Sequence, residues 1–176
     1  EGQLTMFETM KKVDFYCEAA EDFYYDGYED TFDIIFTSPP YFNVERYSHD
    51  DTQSWIRYKD IDGWNTRFLQ KALDNMLPTL RSGGKLCINI SDVYANSKWS
   101  SDRCWLKICD PMNEFLDEYR DMEYIGCIGM EMAKRPNSGG AGTAKDTTQY
   151  SEESLKLAEE TKDKRFCEPI WIWEKK

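Results

Sequence analysis

Histidine is almost missing from this 176-residue chain, which holds one, His49. The six cysteines, at positions 17, 87, 104, 109, 127 and 167, contain no C-x-x-C pair. Without spaced cysteines or histidines to fill tetrahedral positions, a structural zinc site is not expected, and no metal is assigned. Free, reduced thiols are the expected state of a chain with no secretory signal. Long apolar runs are also missing. The longest, at residues 125–130, falls far short of the ~20 residues needed to cross a bilayer. No basic-then-apolar leader opens the sequence, so a cytoplasmic protein with no membrane contact is expected. Basic residues are scarce beside acidic ones, 22 against 33, for a net charge of −11. Such a surface repels a phosphate backbone, so nucleic-acid binding would need a local basic face. Lys134, Arg135 and residues 162–165 are the candidates for it.

What remains is an ordinary globular composition, 40% hydrophobic with 10 glycines, which excludes disorder, collagen and coiled coil. The length fits a single domain over residues 1–176. Residues 13–17 alternate apolar and polar side chains and predict a short strand, followed by a helical turn over 18–25. Residues 32–37, FDIIFT, form a continuous apolar run suited to a central strand buried on both faces. Pro39 and Pro40 lack backbone donors, so the ladder must stop there. Residues 42–62 predict a long polar loop. From Trp64, apolar residues recur at three- and four-residue spacing through Leu80, which predicts one helix face closed by Pro78 and a turn at 81–84. Residues 85–91 predict another buried strand and 93–107 a second loop. A helix is expected to start at Asp110-Pro111, with Met112, Phe115, Leu116 and Tyr119 as its buried stripe. Residues 123–133 and 168–174 predict strands that pair antiparallel. Between them lie a glycine-rich loop at 136–145 and a short helix capped by Ser151. Strand, helix, strand, helix, strand is the order of an α/β layered sheet, here mostly parallel with an antiparallel edge.

The segment Thr37-Ser38-Pro39-Pro40-Tyr41 lies where the predicted strand delivers its carboxyl end, the edge at which open α/β sheets bind ligands. As residues alone it reads either as a proline strand stop or as a site for an amine. Two prolines fix φ and hold the neighbouring carbonyls in set directions. Ser38 adds a hydroxyl acceptor, and Tyr41 offers an aromatic face for a planar base. An exocyclic base amine is a poor nucleophile because its lone pair is conjugated into the ring. Acceptors on its hydrogens localise that pair and prepare it to attack. Asn43, Glu45, Arg46 and Tyr47 follow directly, either as site residues or as solvated loop. Asn89 and Asp92 close the next strand at the same edge, where Asp92 reads either as a site residue or, the better reading, as a cap or turn bond. Trp55, Tyr58, Trp99 and Trp105 read either as packing over the sheet edge or as stacking surfaces. His49 has no evident role.

FDIIFTSPPYF resembles the catalytic motif of amino-group DNA methyltransferases that use S-adenosylmethionine, and its serine form is most similar to the cytosine-N4 enzymes. Ala19-Ala20-Glu21-Asp22-Phe23 is similar to that family's acidic stretch near the cofactor's adenine. LRSGGKLCINISD and EPIWIWEK resemble its later turn-and-strand and its closing strand. The likeness runs in order over most of residues 13–176. It implies a class I, Rossmann-like sheet and methyl transfer to the exocyclic amine of a flipped base, cytosine N4 favoured. Adenine N6, an RNA base amine, or a non-catalytic remnant of the fold are the alternatives. The resemblance implies catalytic roles for Ser38, Pro39, Pro40 and Tyr41, cofactor contacts at Asp22, Thr37 and Ser38, and base contacts at Tyr41 and Asn43. DNA is the implied partner, with room for a restriction endonuclease counterpart, and no oligomeric state is implied. The family's glycine-rich cofactor turn has no counterpart in residues 1–12, and residues 138–142 open no clear helix. A domain truncated at its N-terminus, with weak S-adenosylmethionine binding, is therefore expected.

Overall fold

The structure is a computed structural model that describes residues 13–95, 104–131 and 167–176. The expectations for Lys134, Arg135, residues 136–166 and Trp99 lie outside the described residues. The apolar run Phe32–Thr37 forms β1, which lies parallel to β2 (Leu80–Asn89), with Ile35 beside Leu86 and Thr37 beside Ile88. On the other edge of β2 lies β6 (Cys167–Lys175), antiparallel, and β5 (Met122–Glu131) pairs antiparallel with β6 in turn. The sheet order is β1-β2-β6-β5. The expected antiparallel pairing of the last two strands is present, with β5 outermost on that side and β6 inside the described sheet. Its residues explain this: Trp171 and Trp173 are buried on one face while Ile170 and Ile172 occupy the other. A strand apolar on both faces is poorly suited to a solvated edge.

The helical layer begins inside the segment expected to be loop, with α1 (Ser54–Arg57) and α2 (Ile61–Trp64). Asp60 caps α2 by accepting from the Gly63 amide at 2.7 Å. This capping side chain supplies a start that the apolar spacing alone did not reveal. A π-turn (Asn65–Leu69), α3 (Gln70–Met76) and a 3-10 turn (Leu77–Thr79) continue the same path. Along it, Trp64, Phe68, Leu69, Leu73 and Leu77 are buried, as the periodicity predicts. β2 then starts at once at Leu80, earlier than expected. The predicted 81–84 turn is a bulge within it, opposite the step from Phe32 to Ile34 in β1. Gly83 permits the bulge at φ 76°, where a side chain would be strained.

α4 (Cys109–Glu118) starts just ahead of the expected Asp110. The cause is Asp92, whose Oδ1 accepts from the amides of Ile108 at 2.9 Å and Cys109 at 3.0 Å. Residues 93–107, expected as loop, contain the short antiparallel pair β3 (Val93–Ala95) and β4 (Cys104–Leu106). Residues 13–17, expected as a strand, pair with no strand among the described residues, and Phe15 is 90% exposed. An extended run without a neighbour has no ladder to join.

Leu86 and Ile88 of β2 and Trp171 and Trp173 of β6 face the helical layer, in one cluster with Trp64, Leu73, Met112 and Leu116. The buried residues of the described helices fall on this side of the sheet. The opposite face therefore stays open: Ile34, Phe36 and Ile128 are 61%, 63% and 56% exposed. This corrects the expectation that β1 is buried on both faces. No helix of the described residues is long and apolar enough to cross a membrane.

Candidate functional site

β1 ends at Thr37 and hands the chain to Ser38-Pro39-Pro40-Tyr41, which reverses sharply. The Phe42 amide donates to the Pro40 carbonyl at 2.9 Å and the Val44 amide to the Tyr41 carbonyl at 3.0 Å. Phe42 itself sits at φ 46°. That left-handed conformation costs a side-chain-bearing residue roughly 1–2 kcal/mol. Burial holds it in place: the ring is 5% exposed and meets Trp64 edge-on, centroids 6.1 Å apart. Phe42 is thus the pin that turns the chain and sets Tyr41, a role that its position after Tyr41 did not reveal.

Side chains from three other segments converge on this turn. Ser38 donates its hydroxyl to Asn89 Oδ1 at 3.5 Å, a long bond. Asn89, buried at the end of β2, donates its amide to the Pro169 carbonyl at 3.1 Å. Tyr41 donates its hydroxyl to Glu168 Oε2 at 3.2 Å and its backbone amide to Glu45 Oε2, also at 3.2 Å. The same Glu45 oxygen accepts from the Tyr47 hydroxyl at 2.9 Å. Burial, then the negative charge of Glu168, push the Tyr41 phenol far above the ordinary tyrosine range. It is therefore a fixed neutral donor. The hydrogen bond to Glu45 raises Tyr47 as well.

The acidic turn at 19–22 is pinned to the helical layer. Glu21, 4% exposed, accepts from Arg57 Nη1 at 2.7 Å and from the Tyr58 hydroxyl at 3.3 Å. Asp22 accepts from Arg57 Nη2 at 2.9 Å. Asn75 Nδ2 donates to the carbonyls of Ala20 and Glu21 at 3.3 and 2.9 Å. Between this turn and the Ser38–Tyr41 segment lies a cleft of about 280 Å³, walled by Glu18, Glu21, Pro40, Glu45, Trp55 and Phe68 among others. The Trp55 Nε1 is buried and makes no hydrogen bond.

The structure thus brings Ser38, Tyr41, Asn89 and Glu45 together, and Asn43, two residues after Tyr41, is half-buried. Asp22 does not wall the cleft; its side chain is 61% exposed and paired with Arg57, while Glu18 and Glu21 form the wall. Asp92 stands apart as the cap of α4, paired with Lys107 Nζ at 3.0 Å. Glu168 escaped the sequence reading, because nothing about a glutamate at the start of an apolar strand links it to residue 41.

Comparison with known proteins bears on the fold. Two solved structures of TTHA0409 from Thermus thermophilus, a protein assigned as a DNA modification methylase, share the fold. The form complexed with S-adenosyl-L-methionine matches at 16% identity and TM-score 0.51, over 89% of this chain and 53% of that one. A second form matches at 15% identity and TM-score 0.52, over 90% and 52%. The chain therefore spans about half the length of the TTHA0409 chains. A comparison with curated proteins finds no match. Residues 32–176 match the family model of the N6/N4 DNA methylases, so the chain belongs to the DNA methylase family.

Proposed function

We propose that this chain carries the base-amine site of a cytoplasmic DNA methyltransferase that uses S-adenosylmethionine, with cytosine N4 as the favoured target. The observation that carries the proposal is the turn itself. Ser38 and Tyr41 are adjacent to two prolines at the carboxyl end of β1, each tied by a side chain to a different element. Ser38 Oγ and the Pro39 carbonyl would accept the two amine hydrogens, drawing the lone pair out of the ring. Pro40 holds the backbone direction, Tyr41 gives the base a ring to stack on, and Asn43 stands beside the base edge. No strong base is required, because the amine becomes acidic once its nitrogen carries the new bond. The base must first leave the duplex stack, since its paired amine is otherwise engaged.

The described residues fit one end of the cofactor. The cleft lies at the lower limit of the ~300–1,000 Å³ typical of small-molecule sites. Glu18 offers acceptors for hydroxyl or amine hydrogens, and Trp55 and Phe68 supply apolar walls for a planar base. In the proposal Thr37 and Ser38 border the methyl-bearing end, and the Asp22–Arg57 pair stabilises the turn at the rim. When bound, S-adenosylmethionine supplies an electrophilic methyl group; the chain's part is to hold the amine in line with it. The test is mass spectrometry of nucleosides from DNA incubated with the protein and cofactor. N4-methylcytosine is expected, reduced in both Ser38→Ala and Tyr41→Ala. N6-methyladenine would overturn the base assignment, and undiminished product in both variants would overturn the site.

A further inference from the structure

We infer that Glu168 is a positioning residue for Tyr41, clamping through the phenol oxygen the ring that meets the target base. The inference rests on the proposed role of Tyr41 in stacking. Glu168 lies 127 positions away, near the start of β6, where its backbone is fixed opposite Met130 in the β5 ladder. Its carboxylate accepts from Tyr41 at 3.2 Å, while Glu45 holds the Tyr41 backbone amide at the same distance. The residue is therefore held at both ends by carboxylates that belong to different segments. The neighbouring Pro169 accepts from Asn89, which in turn accepts from Ser38. Consecutive residues of β6 thus reach both working side chains of the turn.

A tyrosine on an irregular segment has two free torsions, and a bond at the far end of the ring removes most of that freedom before the base arrives. Pre-ordering of this kind strengthens binding by avoiding a cost that would otherwise fall at the moment of binding. Removing either the carboxylate or the phenol hydroxyl should have one and the same consequence.

The experiment titrates the protein into a single-stranded oligonucleotide carrying 2-aminopurine and follows the fluorescence quenched by stacking. Glu168→Ala and Tyr41→Phe should each weaken binding roughly threefold to tenfold. The double variant should be no weaker than either single, because both remove one interaction. Glu168→Gln keeps an acceptor and should restore most of the binding, with thermal midpoints unchanged throughout. Losses that multiply in the double variant, or an inert Glu168→Ala beside a weakened Tyr41→Phe, would overturn the clamp alone. Quenching undiminished in Tyr41→Ala would instead overturn the stacking role itself, and the clamp with it. If Glu168→Ala does not fold, Tyr41→Phe with Glu168→Gln still decides: a Gln variant as weak as Tyr41→Phe, or a double variant weaker than it, refutes the clamp.

Discussion

Asn89 hands its side-chain amide to the Pro169 carbonyl at 3.1 Å, while its oxygen receives the Ser38 hydroxyl. One buried amide thereby ties together the ends of β1, β2 and β6. Position and chemistry coincide here, because the strands converge at the edge where the Ser38–Tyr41 turn begins.

Replacing Asn89 by Ala leaves the buried Pro169 carbonyl without its donor, while the exposed Ser38 hydroxyl turns to solvent. The expected loss is about 1–3 kcal/mol of folding stability, read as a lower urea midpoint. An unchanged midpoint would show that the amide contributes nothing there.

Phe42 sits at a positive φ and is nevertheless almost fully buried. Phe42→Ala should cost about 3–5 kcal/mol from the emptied ring site. Phe42→Gly should be the more stable of the two by roughly 1 kcal/mol, since glycine carries no penalty in the left-handed region. Urea titration of both variants settles the order, and alanine ranking above glycine would refute the strain argument.

Arg57 is the cation that satisfies both Glu21 and Asp22. Arg57→Ala leaves the buried Glu21 carboxylate with the Tyr58 hydroxyl and should cost roughly 2–3 kcal/mol. Arg57→Lys should recover less than half, because an ammonium cannot reproduce the forked geometry. Denaturation of the two variants at one salt concentration gives the comparison; equal stability of lysine and wild type would refute it.

The Tyr119–Asp74 bond makes stability depend on pH at both ends of the scale. The bond from Tyr119, more than the nearby Lys71, holds Asp74 below the usual carboxylate range. Its contribution is present above the unfolded value of about 3.9 and is lost as pH falls below it. Tyr119 is pushed up to about 12, by burial first and then by Asp74. Its contribution is present below the unfolded value of about 10 and is lost as pH rises toward the folded one. Tyr119→Phe should therefore be less stable than wild type between these limits, and the gap should close on both sides. A gap constant from about pH 3 to about pH 11 would contradict the assignment.

Much of the architecture was legible without coordinates because it is local. The run FDIIFT gives β1 at the bounds its composition predicts, and the prolines after it end the ladder. The recurrence of apolar residues from Trp64 onward gives the buried helical stripe. Where the reading failed, a partner distant in sequence decided the matter. Asp92 moved the start of α4, residues 13–17 have no strand beside them among the described residues, and β1 kept one bare face because the described helices lie on the other side.

The amino-acid order by itself determined the strand stop, the Ser-Pro-Pro-Tyr turn and the candidate chemistry of its side chains. Proline, short polar groups and apolar periodicity act within a few residues, so their effects are readable in a line of text. Only the tertiary structure decided that Asn89 supports Ser38, that Glu168 holds Tyr41, and that Glu18, not Asp22, walls the cleft. These contacts join segments up to 127 positions apart. Such pairs meet because the sheet order and the helical layer bury a common apolar face, and no local preference specifies which polar groups that burial brings within bonding distance.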